Sequence, residues 1–325
     1  MKVLVTGAGS LLIRHVVQLL AARGDDVRCV QRRAVAVPDG VEVLSADVRD
    51  ADAVAAAMTE CDAVIHGAAR VGVTGTWNDF RTVNVEGTRT VLDAARGAGV
   101  SRVVYVSTPS VAHMGHSLVG EGAQPARTGR QGRAFYAESK ALAEQLALAA
   151  NNDALGVVAV RPHLVWGPGD TQLVGRIAAA AQRGRLPLIG GGRALVDTTY
   201  VDNAAEALVA ALDAVAPGSV VAGRAYVVAN GEPRPIRDLL LGICEAAGVS
   251  VRAVPIPAGL ARLVGSVVER MWPRFSADEP PLTRFVAEQL ATAHWFDLSD
   301  TFTDLAWRPQ VRIDEGLRRL AAGPE

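Results

Sequence analysis

Lysine is almost missing from this chain. Of 33 basic residues only Lys2 and Lys140 are lysine and the rest are arginine, a skew that together with abundant alanine reads as coding bias. Each surviving lysine is therefore a position to explain. Cysteine is scarce as well. Cys29, Cys61 and Cys244 are odd in number and scattered, without CxxC spacing, which argues against a disulfide framework or a structural zinc site. Net charge is lacking: a balance of −1 gives no reason to expect nucleic acid or an anionic membrane as partner. No apolar run reaches the roughly 18 residues needed to span a bilayer. Met1 leads straight into a strand, so no signal peptide is expected and the expected location is cytoplasmic. At 325 residues the chain can hold one large domain or two modest ones.

What is present alternates. Short Val-rich runs at 2–6, 26–31, 41–45, 62–66, 102–107 and 156–161 are not patterned apolar-polar, as expected for strands buried on both faces of a parallel sheet. Ala/Leu-rich helical stretches lie between them at about 11–23, 50–59, 78–97 and 136–150. Repeated βα units predict an α/β fold with a doubly wound parallel sheet. Beyond residue 165 the pattern loosens into a helix near 170–184, another at 201–213, a strand at 225–230 and a mainly helical tail. The expected organisation is a core of residues 1–165 plus 195–230, with a smaller C-terminal substrate lobe of 166–194 plus 231–325.

The first strand runs into TGAGSLLIRH, Thr6 to His15. A strand, a glycine turn and a helix N-terminus make an anion site, because backbone N–H groups point at a pyrophosphate and glycine lets the backbone approach. Gly7 and Gly9 fit such a loop, while Ser10 and Ile13 stand where the G-x-x-G-x-x-G spacing asks for glycine. Ser10 is tolerable, since a small hydroxyl can face a phosphate. Ile13 is expected to push helix and strand apart and to weaken cofactor binding, which glycine at both positions should restore. A βα turn without any ligand leaves the same local pattern.

At the end of the second strand, where an NAD-preferring enzyme usually places an acidic residue for the ribose 2′-OH, the chain has Gln31-Arg32-Arg33. Two guanidinium groups suit a 2′-phosphate, which favours NADP(H) with NAD(H) still possible; two solvated arginines would look the same. Asp47 is placed to accept from the adenine amino group, or to cap the helix starting near Asp50.

The strongest local feature is YAESK, Tyr136 to Lys140. On a helix these two lie four apart and share a face. An ammonium beside a phenol favours phenolate and should bring the Tyr136 pKa down towards neutrality, as proton exchange with a carbonyl or alcohol requires. The strand RVVYVSTPS delivers Ser107, Thr108 and Ser110 at its C-terminal end, where parallel sheets present ligands.

With VLVTGAG, DAVIHGAA, VNVEGT, VYVST, YAESKALAEQ, VVAVRPHLVWGPGD and VDTTYVDNAAEAL, the chain resembles the extended short-chain dehydrogenase/reductase family along nearly its whole length. The resemblance implies a Rossmann fold and a catalytic triad of Thr108, Tyr136 and Lys140. It implies that Gly7, Ser10, Leu11, Leu12, Gln31, Arg32, Arg33, Asp47, Val48, Ala68, Ala69, Asn84, Pro162 and His163 line the cofactor, together with Tyr136 and Lys140. By the same likeness, helices 78–97 and 136–150 would build a homodimer. Where nucleotide-sugar epimerases typically carry arginine, this chain has Val196, which, with STPSV and EPPLTRF, is similar to the branch around 3β-hydroxysteroid dehydrogenases. That implies interconversion of a hydroxyl and a ketone on an apolar, steroid-like or long 3-oxo substrate. Epimerisation or dehydration of a nucleotide sugar is the second reading, and a binding protein with an impaired cofactor loop the third.

Residues 259–272 carry Leu260, Leu263, Val264, Val267, Val268, Met271 and Trp272 at i, i+3, i+4 spacing, one apolar stripe expected in the core, with an apolar substrate wall or a membrane-touching surface as alternatives. No metal is expected. His113 and His116 lack acidic or cysteine partners at ligand spacing, and GHSLVG lacks the second glycine of a hydrolase elbow.

Overall fold

The Val-rich runs become strands β1 (Lys2–Thr6), β2 (Asp26–Val30), β3 (Glu42–Leu44), β4 (Ala63–His66), β5 (Arg102–Val106), β6 (Leu118–Glu121) and β7 (Gly156–Pro162). A computed structural model describes residues 1–129, 134–181, 184–272, 280 and 282–323. Residues 182 and 183 of the helix expected near 170–184, and Glu279 and Pro281 of EPPLTRF, lie outside the described residues. The later strands are β8 (Val165–Trp166), β9 (Arg185–Ile189), β10 (Leu195–Val196), β11 (Thr199–Tyr200), β12 (Ala225–Val228), β13 (Arg234–Pro235), β14 (Arg252–Ile256) and β15 (His294–Phe296). The helices are α1 (Leu11–Ala22), α2 (Ala51–Met58), α3 (Trp77–Phe80), α4 (Gly87–Gly97), α5 (Phe135–Ala149), α6 (Leu173–Ala181), α7 (Val201–Ala214), α8 (Ile236–Ala246), α9 (Ala258–Met271), α10 (Arg284–Ala291), α11 (Ser299–Asp304) and α12 (Ile313–Ala322).

Among the described residues one seven-stranded sheet runs in the order β12-β7-β5-β4-β1-β2-β3, and each of its pairs is parallel. The order reverses between β1 and β4, so a crevice opens beyond the C-terminal ends of those two strands. Helices cover both faces. On one side α1 buries Ile13, Val16, Val17 and Leu20, an i, i+3, i+4, i+7 stripe, against the sheet and α7. Each such aliphatic side chain taken out of water is worth about 1.5–3 kcal/mol. On the other side Val54 and Met58 of α2, Val91 and Leu92 of α4 and Ala143 and Ala147 of α5 close the second layer. The helix expected at 78–97 is not continuous: a π-helical turn, Arg81–Glu86, separates α3 from α4. Such turns are rare and mark functional sites more often than chance.

The lobe is built from α6, α8 and α12 around Trp166, Ile236 and Ile243, with small sheets β13-β10-β15-β6, β11-β8 and β14-β9. β6 comes from the first half of the chain yet pairs with β15, tying the loop after β5 to the lobe. The apolar stripe of α9 corrects its expectation. Leu260, Leu263, Val264, Val267 and Met271 are exposed, and α9 turns Ala261 and Gly265 inward instead. A hypothetical Cβ at Gly265 would stand 2.7 Å from the Thr283 backbone, so the small residues face the close neighbour and the large ones face outward. Among the described residues no helix is long and apolar enough to cross a membrane.

Candidate active site

The crevice starts at Gly7. Its φ of +87° is left-handed, and a Cβ there would lie 2.7 Å from the Ala68 nitrogen, so only glycine lets the two strand ends meet. Ser10 takes the N-cap of α1, its hydroxyl accepting from Ile13 N at 3.4 Å, and no acidic residue occupies the first helical turn. An anion would therefore meet N–H groups and no like charge. The expectation that Ile13 forces helix and strand apart is corrected. Ile13 is buried, and its Cδ1 and Cγ1 crowd the place where a Cβ of residue 67 would stand, Cγ1 at 2.6 Å. The glycine missing at position 13 is supplied across the crevice by Gly67. Leu12 packs on the α1 side of the core, and Leu11 reaches towards Gly169 of the lobe, 3.8 Å from its Cβ position.

At the end of β2, Gln31 lies against Gly9, its Nε2 2.7 Å from the position of a Cβ there. Arg32 and Arg33 are exposed beside it. Asp47 does not cap α2; Asp50 does, accepting from Ala53 N at 3.1 Å. Asp47 is held instead by the Arg49 fork at 2.9 and 2.8 Å, with Arg32 3.8 Å away. Arg49 keeps the Asp47 carboxyl below the usual carboxylate range. Val48 is buried where Gly87 lacks a side chain.

Behind the crevice a buried hydrogen-bond chain links β1 to α5. Thr6 Oγ1 accepts from Ala68 N at 3.1 Å and lies 2.7 Å from His66 Nδ1. His66 Nε2 lies 3.0 Å from Thr88 Oγ1, which donates to Asn84 O at 2.6 Å. With its proton committed there, Thr88 must accept from Nε2–H, and Thr6 donates to Nδ1. His66 is thus neutral, and burial, aided by Lys140, pushes its pKa down to about 3. Asn84, on the π-helical turn, accepts from Arg70 N at 2.7 Å and donates to Ser139 Oγ at 2.8 Å, and Ser139 donates to Tyr136 O at 2.9 Å. Ala68 and Ala69 lie between His66 and Arg70, half-buried.

Thr108, Tyr136 and Lys140 meet where β5 ends and α5 begins. Thr108 leaves β5 with its hydroxyl accepting from Ser110 N at 3.3 Å and in hydrogen-bonding reach of Tyr136. Lys140 Nζ donates to Val106 O at 2.6 Å and lies 4.2 Å from the centre of the Tyr105 ring. Burial brings the Lys140 ammonium down to about 7, with Glu144 working against it. The expectation that Lys140 lowers the Tyr136 pKa is corrected: burial pushes the phenol up to about 12, and the group that opposes it is Thr108. Ser107 Oγ is buried and has no hydrogen-bond partner among the described residues. An orphan hydroxyl here, together with the Gly7 cradle, fits a dinucleotide lying along the strand ends.

The far wall uses Pro162 and His163 at the end of β7. Pro162 pairs with Val228. The His163 ring turns to the lobe, donating through Nδ1 to Asp197 O and packing edge-on against His294 and Phe296. His113 pairs with His294, ring centres 4.8 Å apart, and not with exposed His116. Val196 is buried and paired with His294, so the position before Asp197 belongs to the lobe sheet. Beneath α5, Glu144 and Arg161 form a buried ion pair, Nε to Oε2 2.8 Å, and Arg161 also donates to Gln124 O at 2.6 Å. Reading the sequence does not single out His66, Gly67, Tyr105, Ser139, Glu144 or Arg161, although each stands inside a quoted motif: DAVIHGAA, VYVST, YAESKALAEQ or VVAVRPHLVWGPGD.

Comparison with known proteins identifies the family. Residues 4–258 match the model of the 3-beta hydroxysteroid dehydrogenase/isomerase family. A 2-alkyl-3-oxoalkanoate reductase of Stenotrophomonas maltophilia (strain K279a) is 44% identical over 328 residues, covering 99% of each chain. A 3 beta-hydroxysteroid dehydrogenase/Delta 5-->4-isomerase of Mycobacterium tuberculosis is 30% identical, covering 97% of this chain and 88% of its own. Among solved structures, UDP-glucuronic acid 4-epimerase from Bacillus cereus in complex with NAD superposes with a TM-score of 0.75 at 21% identity, covering 99% of this chain and 96% of that one. The UDP-glucose 4-epimerase of Thermus thermophilus in complex with NAD gives 0.70 at 27% identity, covering 99% and 98%. The chain belongs to the 3-beta hydroxysteroid dehydrogenase/isomerase family and is an NAD(P)-dependent oxidoreductase of the short-chain dehydrogenase/reductase type.

Proposed function

We propose that the protein reduces the ketone of an apolar 3-oxo compound, a long 2-alkyl-3-oxo acid or a steroid-like ketone, with NADPH preferred over NADH. The observation that carries this reading is the convergence of Thr108, Tyr136 and Lys140 at the open end of β5, in the same sheet as the strand that leads into the Gly7 turn. A bound nicotinamide supplies or accepts the hydride. Tyr136 Oη moves the proton to or from the substrate oxygen, Thr108 Oγ1 orients that oxygen, and Lys140 holds the ribose. Burial pushes the phenol up to about 12 and keeps it protonated. That is the correct form for an acid delivering its proton to a ketone. The name of the Stenotrophomonas reductase supports the 3-oxo substrate class, and exposed Arg32 and Arg33 support the 2′-phosphate.

The test is stoichiometric NADPH oxidation against a 2-alkyl-3-oxo acid, a 3-oxosteroid and a UDP-sugar. Consumption with either of the first two and none with the third supports the reading. Turnover of the UDP-sugar without net loss of NADPH would replace it by epimerisation.

A further inference from the structure

Among the described residues Lys140 has no carboxylate in salt-bridge contact, although it is 3% exposed. Its polar contact is Val106 O at 2.6 Å. The charged and titratable groups around it are few. Glu144, one turn further along α5, lends it support, but its oxygens are engaged by Arg161. His66 from β4 is kept neutral by Thr6 and Thr88, and Tyr136 is protonated. What faces the ammonium directly is the Tyr105 ring, 4.2 Å from Nζ. That ring is 1% exposed, held in β5 with His66 and Ala159 as its sheet neighbours and tilted against the His66 ring at 5.8 Å. Its hydroxyl is near Thr88 yet makes no good hydrogen bond among the described residues. The face of the ring, and not the hydroxyl, is the part with a partner.

We propose that Tyr105 is a positioning residue for Lys140: its π face holds the ammonium where no carboxylate of the described residues pairs with it, and thereby fixes the pH range over which the lysine stays charged. A desolvated cation over an aromatic face is attracted by the ring quadrupole. Burial opposes the charge and brings Lys140 to about 7, so a modest change in the ring moves its protonation across neutrality. The consequence for turnover rests on the catalytic reading above; the contact itself does not.

The chain is suited to a direct test because it has two lysines. With ε-¹³C-lysine labelling the full-length protein shows two resonances, and Lys2→Arg leaves the one from Lys140. Phenylalanine carrying zero, one, two or three ring fluorines, installed at position 105, weakens the π face stepwise at nearly constant shape. Tyr105→Phe is expected to keep the Lys140 midpoint, and the fluorinated series to lower it progressively, by about one pH unit in all. The alkaline limb of NADPH turnover should fall with it. Equal midpoints throughout the series would overturn the proposal. If the midpoint falls but Lys140→Met retains full turnover, the ring–ammonium contact stands and the catalytic reading fails.

Discussion

The Cδ1 and Cγ1 atoms of Ile13 fill the volume that a side chain at position 67 would occupy, Cγ1 lying 2.6 Å from the Cβ position of Gly67. The bulky side chain on helix α1 thus stands against a glycine in the turn after β4.

Gly67→Ala should destabilise the protein by about 1–3 kcal/mol, the usual range for overpacking a filled site. Ile13→Ala removes both crowding atoms, Cδ1 and Cγ1, so the double variant should lose less than the sum of the two single losses. The pair Ser10→Gly with Ile13→Gly, in contrast, removes a cap and a buried aliphatic group; it should lose stability without gaining cofactor affinity. Urea unfolding of the four variants decides this, and a Gly67→Ala protein as stable as the parent would contradict it.

How the crevice is built shows what can be read in advance. The sheet is legible because its strands are unbroken apolar runs, a signal that survives without any partner. The placement of Tyr136, Lys140 and Thr108 is legible because it is local to a helical turn and a strand end. Gly67 is not, since its meaning comes from Ile13, which lies 54 positions earlier. The outward stripe on α9 escapes for the same reason. Periodicity identifies an apolar face, but the Thr283 backbone pressed against Gly265 decides which face turns inward. The Tyr136 pKa is equally hidden, because spacing places an ammonium one turn away but does not show that it turns to Val106 O and the Tyr105 ring.

Arg32→Ala with Arg33→Ala should weaken NADPH binding about tenfold or more, as expected on losing a charged hydrogen bond worth about 1.5–3 kcal/mol, and leave NADH binding within about twofold. Fluorescence titration with both cofactors measures it. Equal losses for the two would remove the argument for a 2′-phosphate site.

Glu144→Gln strands the Arg161 guanidinium in the interior and should cost about 3–5 kcal/mol, whereas Glu144→Leu with Arg161→Met should recover most of that. Because Glu144 also supports the Lys140 charge, the single variant should lower the lysine midpoint as well. A stable Glu144→Gln protein would show that the pair is dispensable.

Stability should fall on mild acidification. His66, His163 and His294 are buried neutral, with pKa values pushed by burial from 6.5 to about 3, about 4 and about 2. Below about pH 6.5 the unfolded chain takes up protons at these sites and the native protein does not, so acid favours unfolding down to the native values. Asp197, raised by burial to about 7, works the other way over the same range and offsets one histidine. The net slope should be about 2–3 kcal/mol per pH unit between about pH 6 and 4.5. His294→Gln should flatten it by about one proton's worth. Unfolding free energies that stay level from pH 7 to 4.5 would contradict the neutral-histidine assignment.

The most direct measurement is single-turnover NADPH oxidation by Tyr136→Phe, with NADPH affinity determined on the same protein. Turnover should drop at least about 10²-fold, the lower bound for losing a positioned proton donor, with the dissociation constant within about twofold of the parent. Undiminished turnover by the phenylalanine variant would mean that the proton comes from another group.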